Sequence, residues 1–316
     1  MMDRRILVTG GSGFIGTNLL LALTASTDPS DKILVLDISK PQQDVQFSHT
    51  DLRTNDLSII DEFKPTHVFH LAALTNHRLC ANLHNAMDIN VLSTQRLFSK
   101  LAEVGGVQKI VFPSSIVLYA EHASMPLNED TSPIDIHHNH YSFTKGLCEE
   151  LCKHFRKHPY NLPILTFRLS NVYGPHQAWQ TPQFPNLLPQ ILTQAITTKK
   201  IEIWNSTPVR DFLFVEDATD AFIKALDSSY NGIVNLGSGI GTSVGAVTTE
   251  IARHTGASVT DLGKQVSGPT NVVCDISRAA IQLGWKPSTS MKDGIAKTVA
   301  FYQKCLSPSS PPEVRA

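Results

Sequence analysis

Tyr141 and Lys145 stand four residues apart in the run Tyr-Ser-Phe-Thr-Lys. On a helix this spacing places the phenol and the ammonium on one face. An ordinary tyrosine has a pKa of about 10, and a neighbouring cation lowers that pKa because it favours the phenolate. The pair is therefore typical of a tyrosine that acts as a base, although the same spacing also occurs by chance in many helices.

A glycine-rich loop near the start of the chain gives this pair a context. It fits G-x-G-x-x-G between an apolar run, residues 6–9, and a stretch with apolar residues at helical intervals, residues 14–25. In such a loop the amides at a helix N-terminus face a pyrophosphate. The residues predicted to hold a dinucleotide are Gly10, Gly11, Gly13, Phe14, Ile15 and Gly16. The loop and the pair together predict a nicotinamide-dependent enzyme.

A positively charged nicotinamide ring would also act on the phenol. Lowering the pKa of Tyr141 to neutrality takes about 3 units, or roughly 4 kcal/mol. Lys145 and the ring together are expected to supply that free energy.

Two acidic residues follow predicted strands. Asp37 ends the second strand, 21 residues after Gly16, where a carboxylate accepts hydrogen bonds from a ribose diol and repels a 2′-phosphate. NAD is therefore predicted in preference to NADP, with Lys40 close enough to soften the preference. Asp51, followed by Leu52, either hydrogen-bonds the adenine or caps a helix; both residues are assigned to the cofactor site.

The end of the third long strand is built of small residues. Leu71, Ala72 and Ala73 allow a cofactor to lie directly over the backbone, whereas His70 is interpreted as a core histidine. Asn90 lies inside a helix-like stretch where asparagine is unfavourable. We therefore assign Asn90 a hydrogen-bonding role at the cofactor edge of the sheet.

Strand-like runs alternate with helical stretches through the first half of the chain, which predicts an α/β fold with a doubly wound parallel, Rossmann-type sheet. After Pro175 the alternation of strand-like and helical stretches ends, and a smaller, discontinuous substrate domain is predicted. The predicted division assigns 1–170 plus about 208–234 to the cofactor domain, about 171–207 plus 235–305 to the substrate domain, and 306–316 to a disordered tail.

The composition excludes several classes of partner. The 316 residues carry a formal net charge of -1, so nothing in the overall charge favours nucleic acid or an anionic membrane. No apolar run approaches the roughly 18 residues of a membrane span, and the first apolar run is too short for a signal peptide. A cytoplasmic location is predicted. The five cysteines form no Cys-x-x-Cys, so neither a disulfide scaffold nor a zinc ribbon is predicted.

The ordered series of motifs resembles the extended short-chain dehydrogenase/reductase family, in its nucleotide-sugar epimerase and dehydratase branch. Besides the segments above, the series includes Phe112 to Ser115, Arg168 to Pro175, Val209 to Asp217, Asp275 to Arg278 and Leu283 to Trp285. The resemblance implies a Rossmann-type NAD domain, a small C-terminal domain, a nucleotide-diphosphate sugar bound between them, and a homodimer.

The resemblance also implies catalytic roles. Tyr141 looks like the base that removes a proton from a sugar hydroxyl while hydride passes to the nicotinamide. Lys145 looks like the residue that lowers the pKa of this tyrosine and holds the nicotinamide ribose. Ser115 stands where the family has its catalytic Ser or Thr, with Ser114 as the alternative and a pair that merely caps the strand end as another interpretation.

The chain departs from the family pattern directly after Ser115. Dehydratases carry an Asp-Glu pair there, and decarboxylating relatives carry a Glu at the second position, but this chain has Ile116 and Val117. Both branches are disfavoured. The resemblance then implies an epimerase similar to UDP-glucose 4-epimerase, acting through a transient ketosugar. The alternative enzyme is an NAD(P)H-dependent reductase of a nucleotide-linked 4-ketosugar. A binding protein without catalysis is disfavoured by Ser115, Tyr141 and Lys145.

At the substrate end, Asn171 looks like the family's diphosphate contact, with a turn-forming asparagine as the alternative. Arg210 looks like the arginine that clamps the phosphates, since its planar fork suits that task; a surface ion pair with Asp211 is the alternative. A second arginine of many relatives is missing, and whether Lys264 replaces it is left open. The histidines 137, 138 and 140 lack acidic or cysteine partners at ligand spacing, so no metal is predicted, and a role in substrate contact or pH response is left open.

Overall fold

Seven parallel strands form the central sheet of this computed structural model, which describes residues 3–26, 28, 30–54, 56–178, 186–266 and 268–306. The strand order is β10-β6-β5-β4-β1-β2-β3, and it confirms the predicted Rossmann-type α/β fold. The strands of this sheet are β1 (Arg5–Thr9), β2 (Lys32–Asp37), β3 (Gln46–His49), β4 (His67–His70), β5 (Lys109–Ser115), β6 (Ile164–Leu169) and β10 (Ile233–Leu236).

Ten helices surround this sheet and two smaller sheets in the described residues. They are α1 (Phe14–Ser26), α2 (Ile59–Phe63), α3 (Leu83–Ala86), α4 (Ser93–Val104), α5 (His140–Phe155), α6 (Leu187–Thr197), α7 (Val215–Ala225), α8 (Val244–Thr255), α9 (Ser277–Leu283) and α10 (Met291–Leu306). A π-helical turn, Met87–Leu92, joins α3 to α4, and a 3-10 turn, Ile116–Leu118, follows β5. Among the described residues, no helix has both the length and the apolarity to span a bilayer.

The central sheet is buried on both faces because successive side chains of each strand point in opposite directions. Ile6 and Val8 of β1 face one core, whereas Leu7 between them faces the other. Continuous apolar strands of this kind are typical of parallel sheets covered by helices on both sides. Cys148 and Cys152, one turn apart on α5, pack in the second core as unpaired thiols.

The smaller part of the molecule has its own sheets and core. One sheet has the order β11-β9-β7 and the other pairs β12 with β8. A third core lies among α6, α8 and α10. The strands are β7 (Asn171–Tyr173), β8 (Lys200–Ile203), β9 (Val209–Phe214), β11 (Gly241–Ser243) and β12 (Ser258–Asp261).

The predicted domain boundaries stay a prediction, but the packing of one segment bears on them. Ala279 and Trp285 lie in the first core beneath the large sheet, although the sequence division assigns both to the smaller domain. Trp285 is fully buried, and its indole donates a hydrogen bond to the Asp217 carbonyl. Of the predicted tail, Leu306 ends α10, and residues 307–316 lie outside the described ranges.

Candidate active site

The glycine loop forms a cradle between β1 and α1 in which side chains do not fit. A Cβ on Gly10 would lie 2.5 Å from the amide nitrogen of Ala72, and one on Gly16 would lie 2.2 Å from the Gly10 carbonyl oxygen. Gly10 has a φ of 71°, which glycine adopts without strain. Phe14 and Ile15 open α1. The loop therefore packs tightly against the neighbouring backbone, and its amides lie at the N-terminus of α1, where amides can bind a pyrophosphate.

Asp37 lies at the end of β2 beside this cradle. One carboxylate oxygen accepts a hydrogen bond of 2.9 Å from the Ser12 amide, and the other accepts one of 3.1 Å from the Ser39 amide. These bonds fix the carboxylate, and each oxygen keeps a lone pair for a further donor. The arrangement fits an adenosine ribose diol, so the cradle and Asp37 together fit a dinucleotide.

Asp51 is paired within the protein. Arg53 donates to both of its carboxylate oxygens, with a closest distance of 2.6 Å, and this ion pair lowers the pKa of Asp51. The helix-cap alternative is not observed, since α2 begins at Ile59. Leu52 is buried in the second core. An adenine contact by Asp51 stays a prediction and would have to share the carboxylate with Arg53.

Residues 71–73, which are half-buried, follow β4 where it meets β1. Thr9 holds them there, because its carbonyl accepts from the Leu71 amide and its hydroxyl accepts from the Ala72 amide. The His70 ring lies between the hydroxyls of Thr9 and Thr94, and burial lowers the pKa of His70 to about 3. His70 is therefore a neutral core residue that ties the strand ends to α4, and Leu71, Ala72 and Ala73 lie over the cradle.

Asn90 lies in the π-helical turn and is buried. Its amide oxygen accepts from the Leu74 amide at 2.7 Å, and its amide nitrogen donates to the Leu74 carbonyl and to the Thr144 hydroxyl. The side chain therefore positions the segment after β4 against α5, and its hydrogen-bonding groups are engaged by protein partners rather than presented to a cofactor.

Helix α5 begins with a capping box between Asn139 and Ser142, which fixes the turn that carries Tyr141. Lys145, on the same face, is almost completely buried. Its ammonium donates to the Pro113 carbonyl at 2.8 Å and lies 5.0 Å from the centre of the Phe112 ring. The helix therefore brings both predicted residues to the end of β5.

The electrostatics of Tyr141 differ from the expectation. Burial raises the pKa of Tyr141 to about 12, and a hydrogen bond with Ser115 opposes that rise. Burial also lowers the pKa of Lys145. In the chain alone, the effect of burial on the Tyr141 pKa therefore outweighs the opposing effect of Ser115.

The two adjacent serines at the end of β5 point in different directions. Ser114 is buried, and its hydroxyl donates to Glu149 of α5 at 2.7 Å. Ser115 is half-buried, its side chain acts to lower the pKa of the Tyr141 phenol, and its hydroxyl accepts from the Val117 amide at 3.3 Å. Of the two candidates, Ser115 is the residue that faces the site.

A cavity of about 280 Å³ opens beside Ser115. It is lined by the described residues Ser115, Ile116, Val117, Tyr119, Ala120, Glu121, Met125, Leu127, His138, Asn139, Leu169, Ser170, Asn171, Arg210, Pro269 and Val272. The cavity brings three predicted residues, Ser115, Asn171 and Arg210, to one space. Ile116 and Val117 form its wall next to Ser115, where dehydratases would have acids.

Arg210 presents an uncommitted charge to this cavity. One guanidinium nitrogen donates to the Val209 carbonyl at 2.8 Å, and burial lowers the pKa of Arg210. The ion pair with Asp211 is not observed, since the Asp211 carboxylate accepts from Ser238, Gly239 and Cys274 instead. An anionic ligand would therefore compensate a cation that the described residues leave without a carboxylate.

Asn171 and Lys264 differ in their relation to the cavity. Asn171 is exposed and donates weakly to the Asp211 carbonyl at 3.3 Å, so its amide is available to a ligand. Lys264 is exposed, with its ammonium 5.7 Å from the Trp204 ring, and it is not among the described residues that line the cavity.

The three neighbouring histidines have separate surroundings. His138 lines the cavity, His140 contacts the Cys80 carbonyl, and the His137 ring packs near that of Phe143. Within the described ranges, no three His, Cys, Asp or Glu side chains are grouped to hold a metal ion. His138, whose role in substrate contact the sequence left open, lines the cavity, and so does Glu121, which the sequence patterns did not identify.

Glu149 has a role that the sequence patterns also did not predict. It forms a buried ion pair with Arg168 of β6, with bonds of 3.0 and 2.7 Å. The Arg168 guanidinium lies 4.8 Å from the centre of the Tyr119 ring, and the Tyr119 hydroxyl donates to Asn235 of β10. The only sequence signal was the spacing of Glu149 four residues after Lys145, on the same helix face.

Comparisons with known proteins agree with this architecture. A sequence model of the NAD dependent epimerase/dehydratase family matches residues 6–237. The UDP-glucose 4-epimerase of Mycolicibacterium smegmatis is 30% identical over 323 residues, which cover 95% of this chain and 98% of that protein.

Two solved structures are also similar along nearly their whole length. UDP-glucose 4-epimerase from Thermotoga maritima with UDP-glucose has a TM-score of 0.85 and 25% identity, covering 96% of this chain and 99% of that one. UDP-glucose 4-epimerase from Thermus thermophilus in complex with NAD has a TM-score of 0.79 and 26% identity, covering 94% of this chain and 98% of that one. The chain belongs to the NAD-dependent epimerase/dehydratase family.

Proposed function

We propose that the protein is an NAD-dependent epimerase of a nucleotide-diphosphate sugar, with an activity like that of UDP-glucose 4-epimerase. One observation carries this proposal. Ser115 lines the cavity, and its side chain lies close enough to the Tyr141 phenol to act on the pKa of that phenol. A sugar hydroxyl beside Ser115 would meet the two groups that acid–base catalysis at a carbinol requires.

The cofactor assignment is supported by the fit of the glycine cradle and Asp37 and by the family to which the chain belongs. NAD, when bound, would supply the hydride acceptor for oxidation of the carbinol and the hydride donor for reduction of the ketone. Asp37 would hold the adenosine ribose, and the backbone at Gly10 and Gly16 would accommodate the pyrophosphate.

The chain's own residues handle the proton and the charge. Tyr141 accepts the proton of the sugar hydroxyl, and Ser115 orients the reacting oxygen by a hydrogen bond. Lys145 keeps a positive charge beside the base, although its ammonium is engaged by the Pro113 carbonyl. A phenolate at Tyr141 therefore requires more positive charge than Lys145 alone provides, which agrees with the expected contribution of the nicotinamide ring.

The other end of the cavity suits the diphosphate. Arg210 offers the free nitrogens of a partly desolvated guanidinium, and Asn171 offers an amide just beyond the end of β6. Ligands of doubly wound sheets bind at this carboxyl edge. Because Ile116 and Val117 stand next to Ser115, the acid that would expel water from the sugar is missing from the wall.

A proton NMR screen of UDP-, GDP-, dTDP- and CDP-sugars tests the proposal. An epimerase inverts one carbinol of its substrate with no net change in the near-ultraviolet absorbance of reduced nicotinamide. Stoichiometric consumption of reduced nicotinamide with a ketosugar would instead establish the reductase alternative. If no sugar nucleotide is converted in either assay, the proposal is wrong.

The assembly and the location of the protein stay predictions. Light scattering of the purified chain checks the homodimer, and imaging of the tagged protein in its own cell checks the cytoplasmic location.

A further inference from the structure

The charges around the cavity bear on the chemical class of the sugar, on the basis of the proposed function. Among the described lining residues, Arg210 is the cation and Glu121 is the carboxylate. A diphosphate carries at least two negative charges, and Arg210 carries one positive charge. The cation of the cavity is therefore fully used by the diphosphate, and none is left for an additional anionic group on the sugar.

His138, the imidazole among the described lining residues, does not supply a free cation. Its Nε2 lies 3.3 Å from the Tyr119 carbonyl oxygen, which can only accept a hydrogen bond. Its Nδ1 lies 3.9 Å from the Asp135 carboxylate. Both ring nitrogens are therefore directed at protein acceptors, and protonation of the ring would be balanced by Asp135.

Lys145 is also directed away from a ligand carboxylate. Its ammonium is buried and donates to the Pro113 carbonyl at 2.8 Å.

The wall next to Ser115 is apolar. Ile116, Val117, Met125 and Leu127 line it. Such a surface accepts the C–H faces of a sugar, a hydroxymethyl group or the methyl of an acetamido group. A carboxylate placed there would lose water without gaining a partner, which is unfavourable, and Glu121 would repel it.

We propose that the sugar of the substrate is uncharged, a neutral hexose or N-acetylhexosamine, and that the site selects against uronic acids. UDP-glucose and UDP-glucuronic acid form a matched pair of probes, because they differ only by a hydroxymethyl or a carboxylate at the same carbon. Isothermal titration of the full chain loaded with NAD is expected to show the acid binding about 10-fold more weakly or worse. Equal or tighter binding of the acid overturns the proposal.

Substitution of Glu121 tests the electrostatic cause. Glu121 is exposed, so a change there leaves the core intact. Glu121→Lys is expected to reduce the ratio of the affinity for the neutral probe to that for the acid by about 5-fold or more. Glu121→Gln is expected to give a ratio between those of the wild type and Glu121→Lys. The control is Glu202→Lys, which makes the same change at an exposed carboxylate on β8 outside the cavity and should leave the ratio of affinities unaltered. An equal effect of both lysine variants, or no effect of Glu121→Lys, contradicts the proposal.

The experiment also separates this inference from the proposed function. If neither UDP-sugar binds, GDP-mannose and GDP-mannuronic acid are the second matched pair. Absence of binding for both pairs, together with no conversion of any UDP-, GDP-, dTDP- or CDP-sugar in the NMR screen, overturns the proposed function and the inference with it. Binding that favours the acid overturns the inference alone.

Discussion

The Ser114 hydroxyl donates a 2.7 Å hydrogen bond to the Glu149 carboxylate, and this contact determines which of two adjacent serines serves the site. Successive side chains of a strand point to opposite faces. Ser114 is held against α5, and Ser115 lines the cavity on the other side of the strand. The buried partner of Ser114 therefore favours Ser115 as the serine of the proposed site.

Alanine substitutions should distinguish the role of Ser115 in activity from the role of Ser114 in stability. Ser115→Ala is expected to lower kcat by about 100-fold, because a donor to the reacting oxygen is lost, with the free energy of unfolding changed by less than about 0.5 kcal/mol. Ser114→Ala is expected to lower the free energy of unfolding by about 1.5 to 3 kcal/mol, because a buried hydrogen bond to a charged group is lost. Steady-state kinetics and urea unfolding measure both effects. The reverse pattern would show that Ser114 is the catalytic serine.

Removal of the phenol hydroxyl should abolish proton transfer and leave binding. Tyr141→Phe is expected to reduce kcat by about 10² to 10⁴, the usual contribution of a general base, while the Kd for the sugar nucleotide changes by less than about 3-fold. Tyr160→Phe is the matched control, since Tyr160 is exposed at the end of the loop after α5. Turnover that survives in Tyr141→Phe would remove this tyrosine from the mechanism.

The sequence patterns predicted those features that depend only on residue spacing and on backbone sterics. The glycine loop, the strand ends and the start of α1 follow from spacing and backbone sterics, and the structure places Gly10, Asp37 and Ala72 around one cradle accordingly. The lowered pKa predicted for Tyr141 depends on the nicotinamide ring as well as on Lys145 and stays a prediction. In the chain alone, burial raises the pKa of Tyr141, and an i, i+4 spacing fixes the face of a helix without revealing how deeply that face is buried.

The burial of two charged side chains also could not be predicted from local sequence patterns. Glu149 and Lys109 belong to residue types that are almost never fully buried unless paired. Their burial depends on partners far away in sequence, Arg168 for one and the segment before β10 for the other. Only the meeting of these elements in three dimensions identifies those partners.

The buried ion pair should be sensitive to the loss of one partner. Glu149→Gln leaves the Arg168 charge buried without compensation and is expected to lower the free energy of unfolding by about 3 to 5 kcal/mol. Glu150→Gln is the control, because Glu150 is exposed and its pair with Lys153 should contribute less than about 1 kcal/mol. Urea unfolding of both variants gives the comparison.

The double variant Glu149→Met/Arg168→Met distinguishes charge burial from packing. Removing both charges from a buried pair is often neutral, so the double variant should regain most of the stability that Glu149→Gln loses. If the double variant is less stable than Glu149→Gln, the hydrogen bonds of the pair, rather than an uncompensated charge, determine the stability.

Lys109 should make the stability depend on pH in the alkaline range. Its ammonium donates to the Tyr230 carbonyl at 3.1 Å and to the Asn231 side chain at 2.8 Å, and burial lowers the pKa of Lys109 from 10.5 to about 8. Between these two values the unfolded chain binds a proton that the folded chain has released. The free energy of unfolding contributed by Lys109 therefore rises with pH, by up to about 1.4 kcal/mol per pH unit, and is flat below the folded-state pKa.

Comparison with Lys109→Met isolates this contribution, because the buried tyrosines and cysteines are common to both proteins and cancel in the difference. Urea unfolding from about pH 7 to about pH 10 measures the free energy of unfolding of both proteins. The value for the wild type minus that for the variant should increase with pH only above the folded-state pKa of Lys109. For the control Lys292→Met, at an exposed position on α10, the difference in the free energy of unfolding from the wild type should not change with pH. A flat difference for Lys109→Met as well would mean that its two acceptors keep the ammonium charged in the fold, so that hydrogen bonding outweighs the desolvation that burial imposes.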